Sequence, residues 1–181
     1  WNSEESQRLR FEQFLTLLPP ESKGANVADY GCGYGALLDF LRSKRIEARY
    51  EGIDISADMV RAAARLHGEC ENHLFRTDTR PLVPADYGFA SGIFNVRLDV
   101  PFAEWRQHIL FTLTVINDHG RRGFAFNCLT DRADKDRIRP DLHYESPAFI
   151  SDWCRNNCST DTRLLEDYGL FEFTVIVRKG Q

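Results

Sequence analysis

The chain lacks any surplus of basic residues. Across 181 residues, 23 Lys and Arg stand against 27 Asp and Glu, a formal net charge of −4. A nucleic-acid-binding surface needs a basic patch or stripe, and none is visible, which argues against DNA or RNA as a partner. No apolar run approaches the ~20 residues that span a bilayer. No signal-peptide pattern opens the chain, which begins at Trp1 rather than Met. Cysteine is too sparse and scattered for a disulfide framework. Cys32, Cys70, Cys128, Cys154 and Cys158 are odd in number and fall in expected strands and helices. That fits free thiols in a reducing cytoplasm. Cys154 and Cys158 lie one helical turn apart, but a structural zinc site takes about four ligands in paired spacings, and no second pair exists. No nucleophilic triad, metal-ligand cluster, internal repeat, low-complexity segment or domain linker stands out. At this length one domain with a proper core is expected.

What is present is organised around Val27-Ala28-Asp29-Tyr30-Gly31-Cys32-Gly33-Tyr34-Gly35-Ala36-Leu37-Leu38. A short apolar run reaches an acidic residue, then three glycines on alternate positions, then an amphipathic segment: strand, tight turn, helix. Glycine reaches backbone angles that a Cβ forbids and lets a ligand lie against the main chain. The helix that follows presents unpaired N–H groups to whatever sits over the turn. Tyr50-Glu51-Gly52-Ile53-Asp54-Ile55 reads as a second strand ending in Asp54, about twenty residues further on, where a carboxylate can accept hydrogen bonds from both ribose hydroxyls of a nucleotide-like cofactor. The pattern fits a dinucleotide site or an S-adenosylmethionine site, since Gly31-x-Gly33-x-x-Ala36 also satisfies a relaxed nicotinamide fingerprint.

The run Asp29-x-Gly31-x-Gly33-x-Gly35, followed by Gly52-Ile53-Asp54-Ile55-Ser56 and then Met59, resembles the cofactor half of class I S-adenosylmethionine-dependent methyltransferases. The resemblance covers roughly residues 25–95 well and the rest through topology. It implies a doubly wound three-layer α/β sandwich with a mostly parallel seven-stranded sheet and a C-terminal antiparallel hairpin. It implies S-adenosylmethionine as cofactor, lined by Asp29, Tyr30, Gly31, Cys32, Gly33, Gly35, Asp54 and Ile55. By the same resemblance Met59 covers one face of the adenine, Asp78 and Thr79 meet its amino edge, and Ser91 and Gly92 border the methionine end. The Asp/Asn-Pro-Pro-aromatic signature of many amine and nucleobase methyltransferases is missing; Ser91-Gly92-Ile93-Phe94-Asn95 stands there instead. Asp99, Asn127 and Asp131 lack the spacing of a magnesium set, and no metal is expected. The rival readings are a nicotinamide-dependent oxidoreductase and a catalytically silent cofactor-binding subunit.

Helical spacing of Phe11, Phe14, Leu15 and Leu18 predicts a helix from Ser3 to Leu18, closed by Pro19-Pro20. Residues 1–20 are read as this helix, a packing element or a lid, and 21–181 as one methyltransferase domain. Ser56 should cap a helix, His73–Arg76 form a third strand, and Tyr87–Phe94 a fourth with its exit. Phe102–His119 reads as a long helix with Trp105, Ile109, Leu113 and Ile116 on its core stripe. Arg121–Leu129 is an apolar run dense enough for a strand buried on both faces. Thr130–Glu145 is irregular, mixing Asp131, Arg132, Asp134, Lys135, Asp136, Arg137, Arg139 and Asp141 with His143-Tyr144. Ser146-Pro147 opens a helix through Cys154, and Thr162–Gly169 and Leu170–Val177 form the terminal hairpin, joined tightly by Tyr168-Gly169.

The acceptor is expected to be small or soluble and the location cytoplasmic. The acceptor site is placed under the His143-Tyr144 loop, where an imidazole beside a phenol can orient a hydroxyl or amine and accept its proton. Asn95 either joins that site or caps the next helix.

Overall fold

In the computed structural model residues 3–19, 22–68, 70–133 and 138–180 are described. Residues 134–137 of the irregular stretch, and Trp1 and Pro20, lie outside them. Helix α1 (Glu4–Leu15) starts from Ser3, whose side chain accepts the Ser6 N–H, and ends three residues short of Leu18. Strand β1 (Ala25–Tyr30) runs into the glycine turn, and α2 (Ala36–Ser43) leaves it. Then come β2 (Ala48–Asp54), α3 (Ala57–His67, capped by Ser56), β3 (His73–Thr77), β4 (Ala85–Ala90) and α4 (Phe102–His119). The chain ends with β5 (Gly120–Thr130), β6 (Tyr144–Glu145), α5 (Pro147–Asn157), β7 (Thr162–Leu165) and β8 (Glu172–Arg178).

The sheet order is β3-β2-β1-β4-β5-β8-β7. The first five strands are parallel, and β8 enters antiparallel between β5 and β7. Two cores form on its two faces. Phe11 and Phe14 of α1, Leu37, Leu38 and Leu41 of α2, and Ala63 of α3 pack on one. Ile109, Leu113 and Ile116 of α4, with Ile150 and Cys154 of α5, pack on the other. This is the expected three-layer sandwich.

Three local expectations change. The sheet has an eighth strand, because the two-residue β6 pairs with the end of β5 inside the stretch read as irregular. Strand β4 begins at Ala85, ahead of Tyr87, and ends at Ala90, and in its exit Gly92 takes the left-handed φ of 76° and turns the chain. The terminal hairpin is joined by residues 166–171 rather than by Tyr168-Gly169 alone, with Asp167 and Gly169 both at positive φ.

Candidate functional site

Parallel packing of β1, β2 and β4 brings their carboxyl ends to one edge, where a doubly wound sheet binds ligands. The turn after β1 is built there. The Gly31 and Cys32 N–H groups both donate to the Ile53 carbonyl (2.7 and 3.0 Å), tying the turn to the end of β2. The Gly33 N–H donates to Asp54 Oδ2 at 2.9 Å, and the Ser56 N–H to Asp54 Oδ1 at 2.8 Å. One half-buried carboxylate therefore braces both the turn and the cap of α3. Each of its oxygens keeps a second lone pair for a ligand.

The glycines divide by role. Gly33 sits at φ 55° with nothing within 4 Å of where a Cβ would stand, so it faces open space. At Gly35, φ 88°, a Cβ would stand 2.7 Å from His67 Nε2. His67 ends α3, stacks on Phe75 and lies 2.9 Å from the Tyr34 carbonyl through Nε2, with Nδ1 3.5 Å from Asp39. It supports the turn from beneath, a role no local motif announces.

Asp29, Tyr30 and Cys32 point their side chains inward and can offer a ligand backbone only; they are 3%, 4% and 6% exposed. Asp29 Oδ2 accepts the Tyr50 hydroxyl at 2.6 Å. Burial pushes the Asp29 carboxyl up to about 7, the Asp54 charge adds to this, and the Tyr50 hydrogen bond opposes it. Below pH ~4 the folded and unfolded chains both hold this proton; from there to about pH 7 only the folded chain does. Stability therefore falls as pH rises through that window and is level above it. Asp29→Asn, which carries no charge to bury, is expected to gain about 1–3 kcal/mol at pH 8 and nothing at pH 4. Urea unfolding at the two pH values checks this; an equal effect at both would mean the carboxyl is not perturbed.

Around the edge, Ile55 and Met59 are 81% and 46% exposed. These are apolar surfaces the core does not use. Asp78 accepts from the Thr79 N–H (2.7 Å) and from Arg76 (2.9 Å), which hold it below the usual carboxylate range. Ser91 and Gly92 follow β4, and the Gly92 N–H donates to Asn127 Oδ1 at 2.9 Å. A groove of about 670 Å³ flanks the turn between α1 and α2, with Gln7, Arg10, Phe11, Tyr34 and Asp39 among its walls. Asp54, Ile55, Met59, Asp78 and the Gly31–Gly35 backbone thus share one rim.

His143 and Asn95 stand apart from that rim, beyond β4 and β5. The segment after β4 is strapped to the one before β6. Val96 bridges Leu142, Arg97 Nε donates to the Leu142 carbonyl, and the His143 N–H donates to the Asn95 carbonyl. Asn95 does not cap α4, which begins after Pro101. It is wholly buried, its Oδ1 accepts the Leu129 N–H, and its Nδ2 has no partner. The His143 imidazole is wholly buried and stacked on Phe102, with Nε2 3.1 Å from Glu145 Oε2. Arg106 grips the same carboxylate through Nε and Nη2 at 2.9 and 2.7 Å, and the Ser146 N–H donates to it at 2.7 Å. Burial works against the Glu145 charge, but the His143, Arg106 and Ser146 hydrogen bonds outweigh it and hold the carboxyl below its ordinary range. A carboxylate facing Nε2 assigns the proton there and leaves the lone pair on Nδ1, which is buried without a partner. Tyr144 lies beside it, its hydroxyl accepting the Arg139 N–H at 3.1 Å. Sequence reasoning missed Glu145, although residues two apart on an extended segment share a face.

A family model described as a methyltransferase domain matches residues 28–108. A Mycobacterium tuberculosis protein carrying the name of a methyltransferase is 49% identical over 156 residues, covering 86% of this chain and 93% of its own. The chain belongs to the methyltransferase-domain family. A trans-aconitate 2-methyltransferase of Rhodopseudomonas palustris is 34% identical over 101 residues, 52% of this chain and 40% of that enzyme. The crystal structure of human N-acetylserotonin methyltransferase in complex with S-adenosylmethionine superposes with a TM-score of 0.65 at 18% identity, over 98% of this chain and 57% of that one. The methyltransferase assignment replaces the nicotinamide reading that the glycines alone allowed. The antiparallel β8 between β5 and β7 is the topology that reading lacks. S-adenosylmethionine is the cofactor that goes with the family. The site fits it: a bare turn at Gly33, a carboxylate with spare acceptor capacity at Asp54, and unclaimed apolar surface at Ile55 and Met59. No helix among the described residues is long and apolar enough to cross a membrane, and no cluster of three metal-ligating side chains occurs among them.

Proposed function

We propose that this methyltransferase acts on a small, soluble acceptor through an oxygen or nitrogen nucleophile. The observation that carries the reading is the buried imidazole whose Nδ1 has no hydrogen-bond partner, on a segment whose backbone is bonded to Asn95, whose Nδ2 has none either. An unpaired buried atom of this kind costs about 1–3 kcal/mol, which a hydrogen bond to the acceptor would offset.

S-adenosylmethionine supplies the electrophilic methyl carbon when bound. The protein's task is then alignment and exclusion of water. Asp54 holds the ribose, Ile55 and Met59 give an apolar face to the adenine, and Asp78 and Thr79 meet its amino edge. Ser91 and Gly92 set the methionine end. His143 Nδ1 takes the acceptor proton, and Glu145 stabilises the imidazolium that results. Asn95 Nδ2 and Tyr144 orient the acceptor. The net charge of −4 argues against nucleic acid as that acceptor. The low-molecular-weight acceptor in the name of the Rhodopseudomonas relative agrees with this.

Methyl-labelled S-adenosylmethionine offered with pools of small hydroxyl, amine and carboxylate acceptors tests the proposal. Label should move to one class. S-adenosylhomocysteine binding without transfer to any pool would mark a catalytically silent subunit, and transfer to RNA alone would overturn the acceptor class.

A further inference from the structure

A polar chain crosses from the N-terminal helix to the methionine end of the proposed cofactor site. Arg10 of α1, its side chain 9% exposed, donates from Nη1 to Glu172 Oε1 at 2.9 Å. Glu172, the first residue of β8, is 4% exposed. Its Oε2 accepts from Asn127 Nδ2 at 2.6 Å. Asn127 is wholly buried in β5, and its Oδ1 accepts the Gly92 N–H at 2.9 Å. Four elements (α1, β8, β5 and the exit of β4) are thus joined by three consecutive hydrogen bonds, each oriented by the one before it.

The placement follows from strand periodicity. Ala125 and Ile176 join the core under α1, whereas Phe126, Cys128, Phe173 and Val175 join the core under α4. Asn127 and Glu172 therefore share the α1 face. Three polar groups buried there are costly unless every partner is present. Arg10 Nε is buried with no partner, and Arg10 also walls the groove beside the glycine turn. Burial holds the Glu172 carboxyl above its ordinary range, with Arg10 and Asn127 opposing that shift. The carboxylate so depends on α1 being in place.

We infer that Arg10, Glu172 and Asn127 are positioning residues that couple docking of α1 to the placement of Gly92, so that cofactor binding and the docked state of α1 stabilise each other. The inference rests on the cofactor reading above. It makes α1 a working part of the site, where the sequence left a lid and a mere packing helix equally open. Neither Arg10 nor Glu172 touches the reacting atoms; both act through the Gly92 backbone.

The test is S-adenosylhomocysteine titration by calorimetry together with amide hydrogen exchange across residues 4–15, with and without that ligand, in the full chain. In the parent protein the ligand should bind and slow exchange in α1 by ~10-fold or more, because a docked helix opens less often. In Arg10→Met the dissociation constant should rise ~10-fold, and exchange in α1 should no longer respond to ligand, while the β4 and β5 core stays protected. Should Arg10→Met fail to fold, Glu172→Gln, which keeps the side-chain shape but removes the charge that Arg10 and Asn127 hold, carries the same expectation. Wild-type affinity or ligand-dependent protection of α1 retained in the variant overturns the coupling. Ligand binding by the parent protein without protection of α1 overturns it as well. Absence of binding in the parent protein instead overturns the cofactor reading beneath it.

Discussion

Asp54→Ala should raise the dissociation constant for S-adenosylhomocysteine by ~10²-fold or more. Two losses combine. Each charge-assisted hydrogen bond from a ribose hydroxyl to the carboxylate is worth on the order of 1.5–3 kcal/mol before compensation. The same carboxylate also holds the Gly33 and Ser56 N–H groups, so its removal frees the turn against which the cofactor lies. Asp54→Asn should fare little better, because an amide nitrogen facing either backbone N–H sets donor against donor. Asp78→Ala should cost no more than ~10-fold, since a partly exposed group making one hydrogen bond is screened by water. Its carboxylate is already occupied by Thr79 and Arg76. Calorimetric titration of the three variants decides the ranking. Equal affinities for Asp54→Ala and Asp78→Ala would mean the ribose lies elsewhere.

His143→Ala should lower turnover by ~10²-fold or more, the range for a lost general base, and leave cofactor affinity within about twofold, because the imidazole lies outside the Asp54 rim. Glu145→Gln separates base strength from position. It keeps the shape but removes the charge that would stabilise the imidazolium, so turnover should fall while acceptor KM changes little. It also leaves the Arg106 guanidinium, stacked between Phe102 and Phe149, without its carboxylate. Some loss of stability is therefore expected alongside. If His143→Ala keeps full turnover on the identified acceptor, no base is needed there and the buried pair serves the fold.

The parallel half of the sheet was legible because its signals are local. Asp54 at the end of an apolar run, three alternate glycines before Ala36, and Ser56 ahead of an amphipathic helix each act within a few residues. Long-range pairing was not legible. Glu172 opens β8, and nothing near it in sequence reveals that Arg10, 162 positions earlier, is its counter-ion. His67 reads as an ordinary residue at a helix end, and only folding brings it beneath Tyr34 and Gly35. The buried state of His143 was likewise hidden, because a charged, irregular stretch reads as exposed, whereas the β5–β6 pairing and the Asn95 strap draw it inward. Asp29 shows the reverse. Its place in the motif is evident, but that its carboxylate meets Tyr50 depends on the register of β1 against β2.

Differential thermal stabilisation tests the central claim most directly. A ligand at ~100 times its Kd stabilises the fold it binds by about 2.7 kcal/mol. S-adenosylhomocysteine should raise the melting temperature of this protein accordingly, and NADH at the same concentration should leave it unchanged. Stabilisation by NADH with none by S-adenosylhomocysteine would contradict the account at its root.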